Sequence, residues 1–336
     1  MPASTASVAA PLGGWNARDS LAEMSPMDAV QLTNFFPTPS DVTLRKGYSK
    51  YSTGITGQVN TLMNYSGPTF QQLFAIAGTT LYLADGAPAV AKVTGLSNDK
   101  WQHVNISTPG GHFLVACNGT DLPIIYDGTT WFKMATTATA QTISSITHVG
   151  AVATVTTASA HGLATGNKVV ITASSESSFL GAHTVTVTGA NTFTFVSSGT
   201  STVVGATGTY TVTGIKGGTV GLITYSINSN TFVQVNLFKQ RLYFTEKDTL
   251  KVWYLDTDAI GGEAYPLDFA SIARNGGYLQ AMGTWTLDAG QGVDDYAVFV
   301  SSMGEILVYN GTDPSDPAAW ALKGVWQVGQ TFARRC

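Results

Sequence analysis

The sequence contains few charged residues. Asp, Glu, Lys and Arg make up 11% of its 336 residues, whereas about 25% is usual in a soluble domain. The 17 basic and 21 acidic residues leave a net charge of −4. This balance excludes a tight polyanion binder, because such proteins neutralise phosphates with Lys and Arg. A surface so poor in charge favours a protein whose faces are covered in an assembly. A monomeric β-protein with a Ser- and Thr-rich surface is the alternative.

Cysteine and long apolar runs are also scarce. Only Cys117 and Cys336 are present, which excludes a disulfide framework or a zinc site of the usual cysteine spacing. Cys117 follows the apolar run 113–116, so we expect it to be buried as a small hydrophobic residue. No window reaches the ~18 apolar residues of a membrane span, and the first residues lack the basic segment of a signal peptide. We therefore expect no membrane insertion by this chain.

Catalytic and cofactor-binding motifs are missing. The sequence has no Gly-x-Ser-x-Gly, no His-Glu-x-x-His and no phosphate-binding or dinucleotide-binding glycine motif. None of the five histidines has a second histidine at metal-binding spacing. We expect His161 and His183 to shape turns rather than to bind zinc.

Acidic clusters have simpler interpretations than catalysis. Residues 256–263 have the opening rhythm of a calcium loop but lack two of its oxygen ligands, and residues 310–317 are similarly rich in oxygen. Turn chemistry accounts for both segments better. Asp294 and Asp295 are neighbours in a predicted strand, so they point to opposite faces and do not form a catalytic pair. We predict a protein that is not an enzyme and that uses no cofactor or metal.

What the sequence has in abundance is turn and strand residues. Glycine occurs 36 times, and Thr, Ser and Val are frequent, which favours strands and tight turns over helices. Four segments each join two apolar strands through a short turn, and three of them end in Asp-Gly or Asn-Gly, a hairpin signal. These segments are 73–86, 113–128, 241–256 and 297–311. Their spacing is close to the roughly 40–50 residues of a β-propeller blade, once an insertion is removed.

Six tryptophans could line a sugar-binding face. In blade repeats, however, such residues pack between neighbouring sheets, so a core position is the favoured interpretation. The residues concerned are Trp101, Trp131, Trp253, Trp285, Trp320 and Trp326.

The insertion is the segment 140–214, whose strands alternate strictly between apolar and polar residues. Its Ala160-His161-Gly162-Leu163 pattern, with a later Gly and Val, resembles a small β-domain that recurs in phage tail proteins. We predict a mainly β fold with a β-propeller-like body that this chain need not complete, an N-terminal arm and this inserted domain. The predicted domains are 1–54 (assembly arm), 55–139 (first part of the body), 140–214 (insert) and 215–336 (second part of the body).

The N-terminal segment differs from the rest of the chain in its sequence pattern. Residues 19–33 are the best helix candidate, with Asp19 or Ser20 as the cap. Pro26 lies in its middle, so we expect either a kink or two turns separated by an Asn- or Ser-type break. Before it stand Gly13-Gly14-Trp15-Asn16, and after it come Asn34-Phe35-Phe36-Pro37 and Arg45-Lys46-Gly47-Tyr48. This order resembles the opening of the nozzle, or tail-tubular-B, proteins of short-tailed bacteriophages.

That resemblance implies a structural role in the virion. Proteins of this family form a sixfold ring below the portal-adaptor ring, surround the channel through which DNA leaves, and hold fibres or a spike. It implies self-association, contacts with the portal adaptor and with a fibre or spike protein, transient passage of DNA, synthesis in the host cytoplasm and location in the tail. The arm would be the assembly interface, with Trp15, Phe35, Phe36, Arg45 and Lys46 as the contact residues. For the two basic residues, ion pairs at turns or at an interface are favoured over contacts with DNA phosphates.

Two further readings remain open at the level of the sequence. One is a carbohydrate-binding or carbohydrate-degrading tail component, and the other is a fibre adaptor without DNA contact. Four blade-like units lie at the lower end of the range of about 4–8 blades, so a propeller left open would expose unpaired sheet edges. We therefore expect that a second polypeptide supplies further blades, or that the body closes with fewer.

Overall fold

The computed structural model describes residues 9–133, 140–197, 203–217, 228–288 and 293–331. It is nearly all β, with 53% of residues in strands and 2% in helical turns. The helical turns in this part of the chain are two single 3-10 turns, Ser177–Phe179 and Ser229–Thr231. Within the described segments, no helix has the length and apolar character needed to cross a bilayer. The chain divides into two compact units, 1–51 and 52–336.

The N-terminal unit contains four short strands. Strands β1 (Gly14–Trp15) and β2 (Asp28–Ala29) pair in parallel, and β3 (Phe35–Pro37) and β4 (Val42–Leu44) form an antiparallel hairpin. The prediction of a continuous helix over 19–33 is wrong, and the chain makes two separate turns instead, at 21–23 and 26–27, as in the alternative of a break. The Ser20 carbonyl accepts hydrogen bonds from the backbone N–H groups of Glu23 and Met24, which makes one turn. Pro26 has no N–H to continue it, and the chain then extends into β2.

The second unit begins with two four-stranded antiparallel sheets in which the strands follow chain order. Sheet 1 consists of β5 (Val59–Ser66), β6 (Gln71–Ala77), β7 (Thr80–Leu83) and β8 (Val90–Thr94). Sheet 2 consists of β9 (Gln102–Thr108), β10 (Gly111–Cys117), β11 (Ile124–Tyr126) and β12 (Trp131–Lys133).

A different sheet follows them in the chain. Its strands are β13 (Gln141–Val149), β14 (Val152–Thr157), β15 (Lys168–Ser174), β16 (Gly181–Thr184), β17 (Thr186–Gly189), β18 (Thr192–Val196) and β19 (Val203–Ile215). The spatial order is β16-β15-β19-β13-β14-β18-β17. An eighth strand, contributed by a later segment, pairs with the end of β19. Alternate residues point inward here, which explains the period-two pattern of the sequence.

The last two sheets return to the four-stranded pattern. Sheet 3 contains β20 (Phe232–Phe238), β21 (Arg241–Glu246), β22 (Lys251–Tyr254) and β24 (Tyr265–Asp268), and the short β23 (Gly261–Gly262) pairs with β19. Sheet 4 contains β25 (Leu279–Asp288), β26 (Val293–Ser301), β27 (Glu305–Gly311) and β28 (Trp320–Gln327). Each of the four predicted hairpins is present as the second and third strands of its sheet.

The four sheets pack face to face in chain order. Three clusters of buried apolar side chains join sheet 1 to sheet 2, sheet 2 to sheet 3 and the eight-stranded sheet, and sheet 3 to sheet 4. The first strands of successive sheets contact each other, β5 with β9, β9 with β20, and β20 with β25. This arrangement, with each first strand innermost, is that of propeller blades. The prediction of a mainly β, propeller-like fold is confirmed.

Candidate assembly surface

The N-terminal unit has almost no interior. Among residues 9–51, Gly14 is the single residue classed as buried, and no residue of this unit belongs to any of the three apolar clusters. Several large apolar side chains are exposed, and they are Trp15, Leu21, Val30, Phe35, Phe36, Leu44, Tyr48 and Tyr51. A cluster of exposed aromatic and aliphatic residues on so few residues marks an interaction surface.

Local hydrogen bonds fix the position of Trp15. Its indole Nε1 donates to the carbonyl of Val30 at 3.1 Å, yet the side chain remains 68% exposed. The preceding Gly14 has a φ of +86°, which glycine adopts without strain. A Cβ at Gly13 would lie 2.0 Å from Asp28 Oδ1. The two glycines of the motif are therefore needed for the backbone that presents the indole ring to solvent.

A polar network supports the same turn. The side-chain amide of Asn16 donates to Asp19 at 2.9 Å and to Asp28 at 2.8 Å. Its side-chain oxygen accepts the backbone N–H groups of Arg18 and Asp19. The hydrogen bond from Arg18, followed by that from Asn16, lowers the pKa of the Asp19 carboxyl below its ordinary value. The Asn of the sequence motif thus organises the loop that carries Trp15.

Phe35 and Phe36 lie in the β3–β4 hairpin. Neighbouring residues in a strand point to opposite faces, so these two rings lie on opposite faces of the ribbon, and they are 45% and 54% exposed. The turn is closed by Thr38, whose hydroxyl donates to the Asp41 carboxylate at 2.7 Å. Asn34 enters the hairpin with a φ of +62°, a conformation that Asn tolerates. Both rings keep about half of their surface exposed among the described residues, and a two-stranded ribbon of this kind is marginal in isolation.

The basic residues follow the hairpin directly. The Arg45 backbone N–H donates to the Asn34 carbonyl at 2.6 Å, and the side chains of Arg45 and Lys46 are exposed. Neither forms an ion pair with another described residue.

The turn that carries Trp15 lies close to the hairpin, since a Cβ added at Gly14 would lie 3.4 Å from the Pro37 side chain.

Two tryptophans differ from the expected core position. Trp101 is fully buried and donates through Nε1 to the Asn98 carbonyl at 2.9 Å, and Trp320 is 7% exposed. Trp285 and Trp326, however, are 53% and 51% exposed. The core prediction is wrong for these two because both lie on the face of sheet 4 that points away from sheet 3.

The histidines and acidic loops serve the fold. His161 is buried, its Nε2 lies 3.0 Å from the Gly189 carbonyl, and its Nδ1 accepts the Leu163 N–H. Asp256, in the calcium-like segment, pairs with Lys168 and approaches Arg241. Three or more His, Cys, Asp or Glu side chains do not converge on a possible metal position anywhere in the described segments.

Of the acidic pair Asp294 and Asp295, the structure describes the side chain of Asp295. Asp295 accepts hydrogen bonds from Lys239 at 2.6 Å and from the Thr286 hydroxyl at 2.9 Å. The Lys239 and Thr286 hydrogen bonds lower the pKa of its carboxyl. The side chain of Asp294 lies outside the described part of the structure. Asp295 is therefore an ion-pair partner between sheets 3 and 4.

One acidic residue was missed by the sequence reasoning. Glu305 is 4% exposed, and its two carboxylate oxygens accept the backbone N–H groups of Arg274 at 2.9 Å and Asn275 at 3.0 Å. It borders a groove of about 550 Å³ that Leu322 and Trp326 also line. Both oxygens are occupied by the backbone, so this carboxylate holds the loop before β25 in place. Its partners lie about 30 residues away in sequence, and no local pattern announces them.

Comparison with known proteins shows a distant structural similarity and no match in sequence. No protein-family model matches the chain, and no curated protein matches it significantly. Among solved structures, the chain is similar to the phage phi92 endosialidase, with 12% sequence identity and a TM-score of 0.23. The match covers 80% of this chain and 56% of that chain, so this chain spans little more than half the length of that protein. A likeness this distant carries no argument about function.

Proposed function

We propose that this protein is a structural subunit of a bacteriophage tail. It forms a sixfold nozzle ring around the channel through which DNA leaves the particle, and it connects the portal-adaptor ring to fibres or a spike. The subunit is made in the host cytoplasm and assembled into the virion. It is not an enzyme, and DNA passes through the ring without lasting contacts.

The observation that carries this proposal is the exposure of the N-terminal unit. Phe35, Phe36 and Trp15 are each about half exposed or more, and burying one such side chain in a partner contributes about 1.5–3 kcal/mol. A surface of this kind is retained when another subunit covers it. These are also the residues on which the resemblance to nozzle proteins depends.

The electrostatic character agrees with a conduit. The net charge is −4 and charged residues are sparse, so phosphates find few cations to displace their counterions. A lumen without strong affinity lets DNA move along it. The basic side chains of the arm, Arg45 and Lys46, are exposed and available to acidic groups on a neighbouring subunit.

The test uses the purified full chain. Native mass spectrometry and negative-stain electron microscopy are expected to show rings for the wild type. The double variant Phe35→Ser/Phe36→Ser should lose them while keeping the wild-type thermal midpoint, because neither ring contributes to a core. The matched control is Val149→Ser/Val196→Ser, which removes two valines that are 72% and 78% exposed in the eight-stranded sheet.

Two outcomes contradict the proposal. Rings that persist in the arm variant, with the control unchanged, show that the arm is not the assembly element. Hydrolysis of a sialic acid polymer or another glycan by the purified chain shows that the protein is a carbohydrate-degrading component instead.

A further inference from the structure

Each inner sheet of the array presents apolar residues on both faces. In β10 of sheet 2, Leu114 and Ala116 belong to the cluster shared with sheet 1. The alternate residues Phe113, Val115 and Cys117 belong to the cluster shared with sheet 3. Because side chains alternate along a strand, a sheet packed between two neighbours carries apolar side chains at successive positions in its second strand, as Leu242, Tyr243 and Phe244 do in sheet 3.

The second strand of sheet 4 has a similar composition, but none of the other described sheets packs on one of its faces. In β26, Ala297 and Phe299 are fully buried in the cluster shared with sheet 3. Val298 and Val300 point the other way, are half-buried, and belong to none of the three clusters formed by described residues. Sheet 4 therefore has the sequence of a sheet with neighbours on both sides.

The three central rows of this outer face of sheet 4 carry no charge, whereas a further row at its edge pairs Leu287 with Asp294. The central rows are Trp285, Tyr296, Asn310 and Ala321; Gly283, Val298, Val308 and Gly324; and Ala281, Val300, Ile306 and Trp326. The middle row is open at one end only. A Cβ added at Gly283 would meet nothing within 4 Å, whereas the Trp326 ring lies over Gly324, where a Cβ would come within 2.6 Å of it, and Val308 is 4% exposed. The outer rows each carry a half-exposed tryptophan.

Sheet 1 has a second outer face at the other end of the array. Its paired rows are Leu62, Ala75, Tyr82 and Ala91; and Val59, Ala77, Thr80 and Thr94. Neither row contains a charged residue. Leu62 is 58% exposed and stands, with Tyr82, above the small side chains around it. The outer faces of sheets 1 and 4 thus both carry exposed apolar side chains, Leu62 on one and Trp285 and Trp326 on the other.

We propose that the outer face of sheet 4 docks against the outer face of sheet 1 of a second copy of this chain. The contact continues the face-to-face stacking that already joins sheets 1 to 4 within one copy. It is head-to-tail, because two different surfaces meet, and such contacts generate rings when the rotation closes. The inference rests on the proposed ring and names the surfaces through which its copies meet.

The first experiment compares single variants of the full chain by sedimentation velocity over a range of concentrations. Trp285→Lys and Leu62→Lys each place a charge on one of the two faces, and each is expected to weaken self-association about tenfold or more. Val196→Lys is the matched control, because Val196 is 78% exposed on β18, and it should associate like the wild type. All three should keep the wild-type thermal midpoint.

The second experiment mixes the two impaired variants. Trp285→Lys retains an intact sheet 1 face, and Leu62→Lys retains an intact sheet 4 face. The mixture is therefore expected to form a complex of two copies that neither variant forms alone and that grows no further. If the mixture forms no complex, the two faces are not partners and the proposal is overturned.

The outcomes separate this inference from the proposed function. The inference is overturned if the wild-type chain is monomeric at all concentrations, or if the variants of the two faces associate normally. The outer face of sheet 4 would then pack on sheet 1 of the same copy or bind another polypeptide. If the face variants assemble normally and the Phe35→Ser/Phe36→Ser variant does not, the arm-driven ring stands and the inference fails. The reverse pattern upholds the sheet interface and removes the arm from assembly.

Discussion

Arg241 at the start of β21 in sheet 3 forms an ion pair with Asp313, which follows β27 of sheet 4, at 3.2 Å between Nη2 and Oδ2. The Arg241 side chain is 11% exposed, and its Nη1 also donates to the Leu255 carbonyl at 3.2 Å. A charge buried to this degree depends on its partners, because it has lost most of its hydration. The pair therefore fastens sheet 3 to sheet 4 through a polar contact beside the apolar cluster.

Replacing this arginine should destabilise the fold. Arg241→Met leaves Asp313 and Asp256 without their buried partner, and we expect a loss of about 1–3 kcal/mol in the free energy of unfolding. Urea denaturation measures it. Lys251→Met is the control, because the Lys251–Asp268 pair is long and exposed, and such a pair contributes about 0–1 kcal/mol. Equal losses in the two variants would contradict the special role of Arg241.

The same contact predicts a dependence on pH. The hydroxyl of Ser315, then its backbone N–H and the charge of Arg241, lower the pKa of the Asp313 carboxyl below its ordinary value. A lowered pKa in the folded state stabilises the fold above the unfolded-state value of about 4, and this contribution is lost as the pH falls through the folded-state pKa.

The measurement compares the wild type with Asp313→Asn in urea at about pH 7 and at about pH 2.5. The wild type should be the more stable at neutral pH, and the difference should shrink in acid because the Asp313 carboxyl is protonated as the pH falls toward its folded-state pKa. A difference that is the same at both pH values would show that Asp313 acts through its shape rather than its charge.

Local signals explain what the sequence could predict. The hairpins at 73–86 and 297–311 are set by alternating apolar residues and by turn residues a few positions away, so the chain segment itself contains the information. The expected burial of Cys117 follows from the apolar strand around it, and Cys117 is fully buried.

Features decided by distant partners were missed. The apolar spacing of 19–33 favours a helix, but Pro26 and the pairing of β2 with β1 determine an extended path. Trp285 and Trp326 look like core residues, and their exposure follows from the position of sheet 4 at the end of the array, which their own segments do not encode. The N-terminal motif, by contrast, contains Gly13, Gly14 and Asn16, and the structure shows why each is needed. A side chain at Gly13 would clash with Asp28, Gly14 has a positive φ, and Asn16 forms the hydrogen bonds of the loop.

Two aromatic residues of sheet 4 should respond oppositely to truncation. Phe299 is fully buried, with its ring 4.6 Å from that of Phe269 and 6.0 Å from that of Tyr309. We expect Phe299→Ala to lower the free energy of unfolding by about 3–5 kcal/mol. Trp285→Ala, measured at concentrations where the chain is monomeric, should change it by less than about 1 kcal/mol because the side chain is half exposed. A large loss for Trp285→Ala in the monomer would show that its face is already covered.

The reactivity of Cys117 tests whether the sheets unfold together. Burial raises the pKa of its thiol far above the ordinary value, and the residue is fully buried in sheet 2, so a disulfide reagent should react only after opening. The experiment uses Cys336→Ser as background, which leaves one thiol. If sheets 2 and 4 unfold as one cooperative unit, adding Phe299→Ala should speed the labelling of Cys117 about tenfold for every 1.4 kcal/mol lost. Unchanged labelling in a destabilised variant would show that sheet 4 opens separately. The packing of sheet 4 on sheet 3 would then be less stable than the packing between sheets 2 and 3.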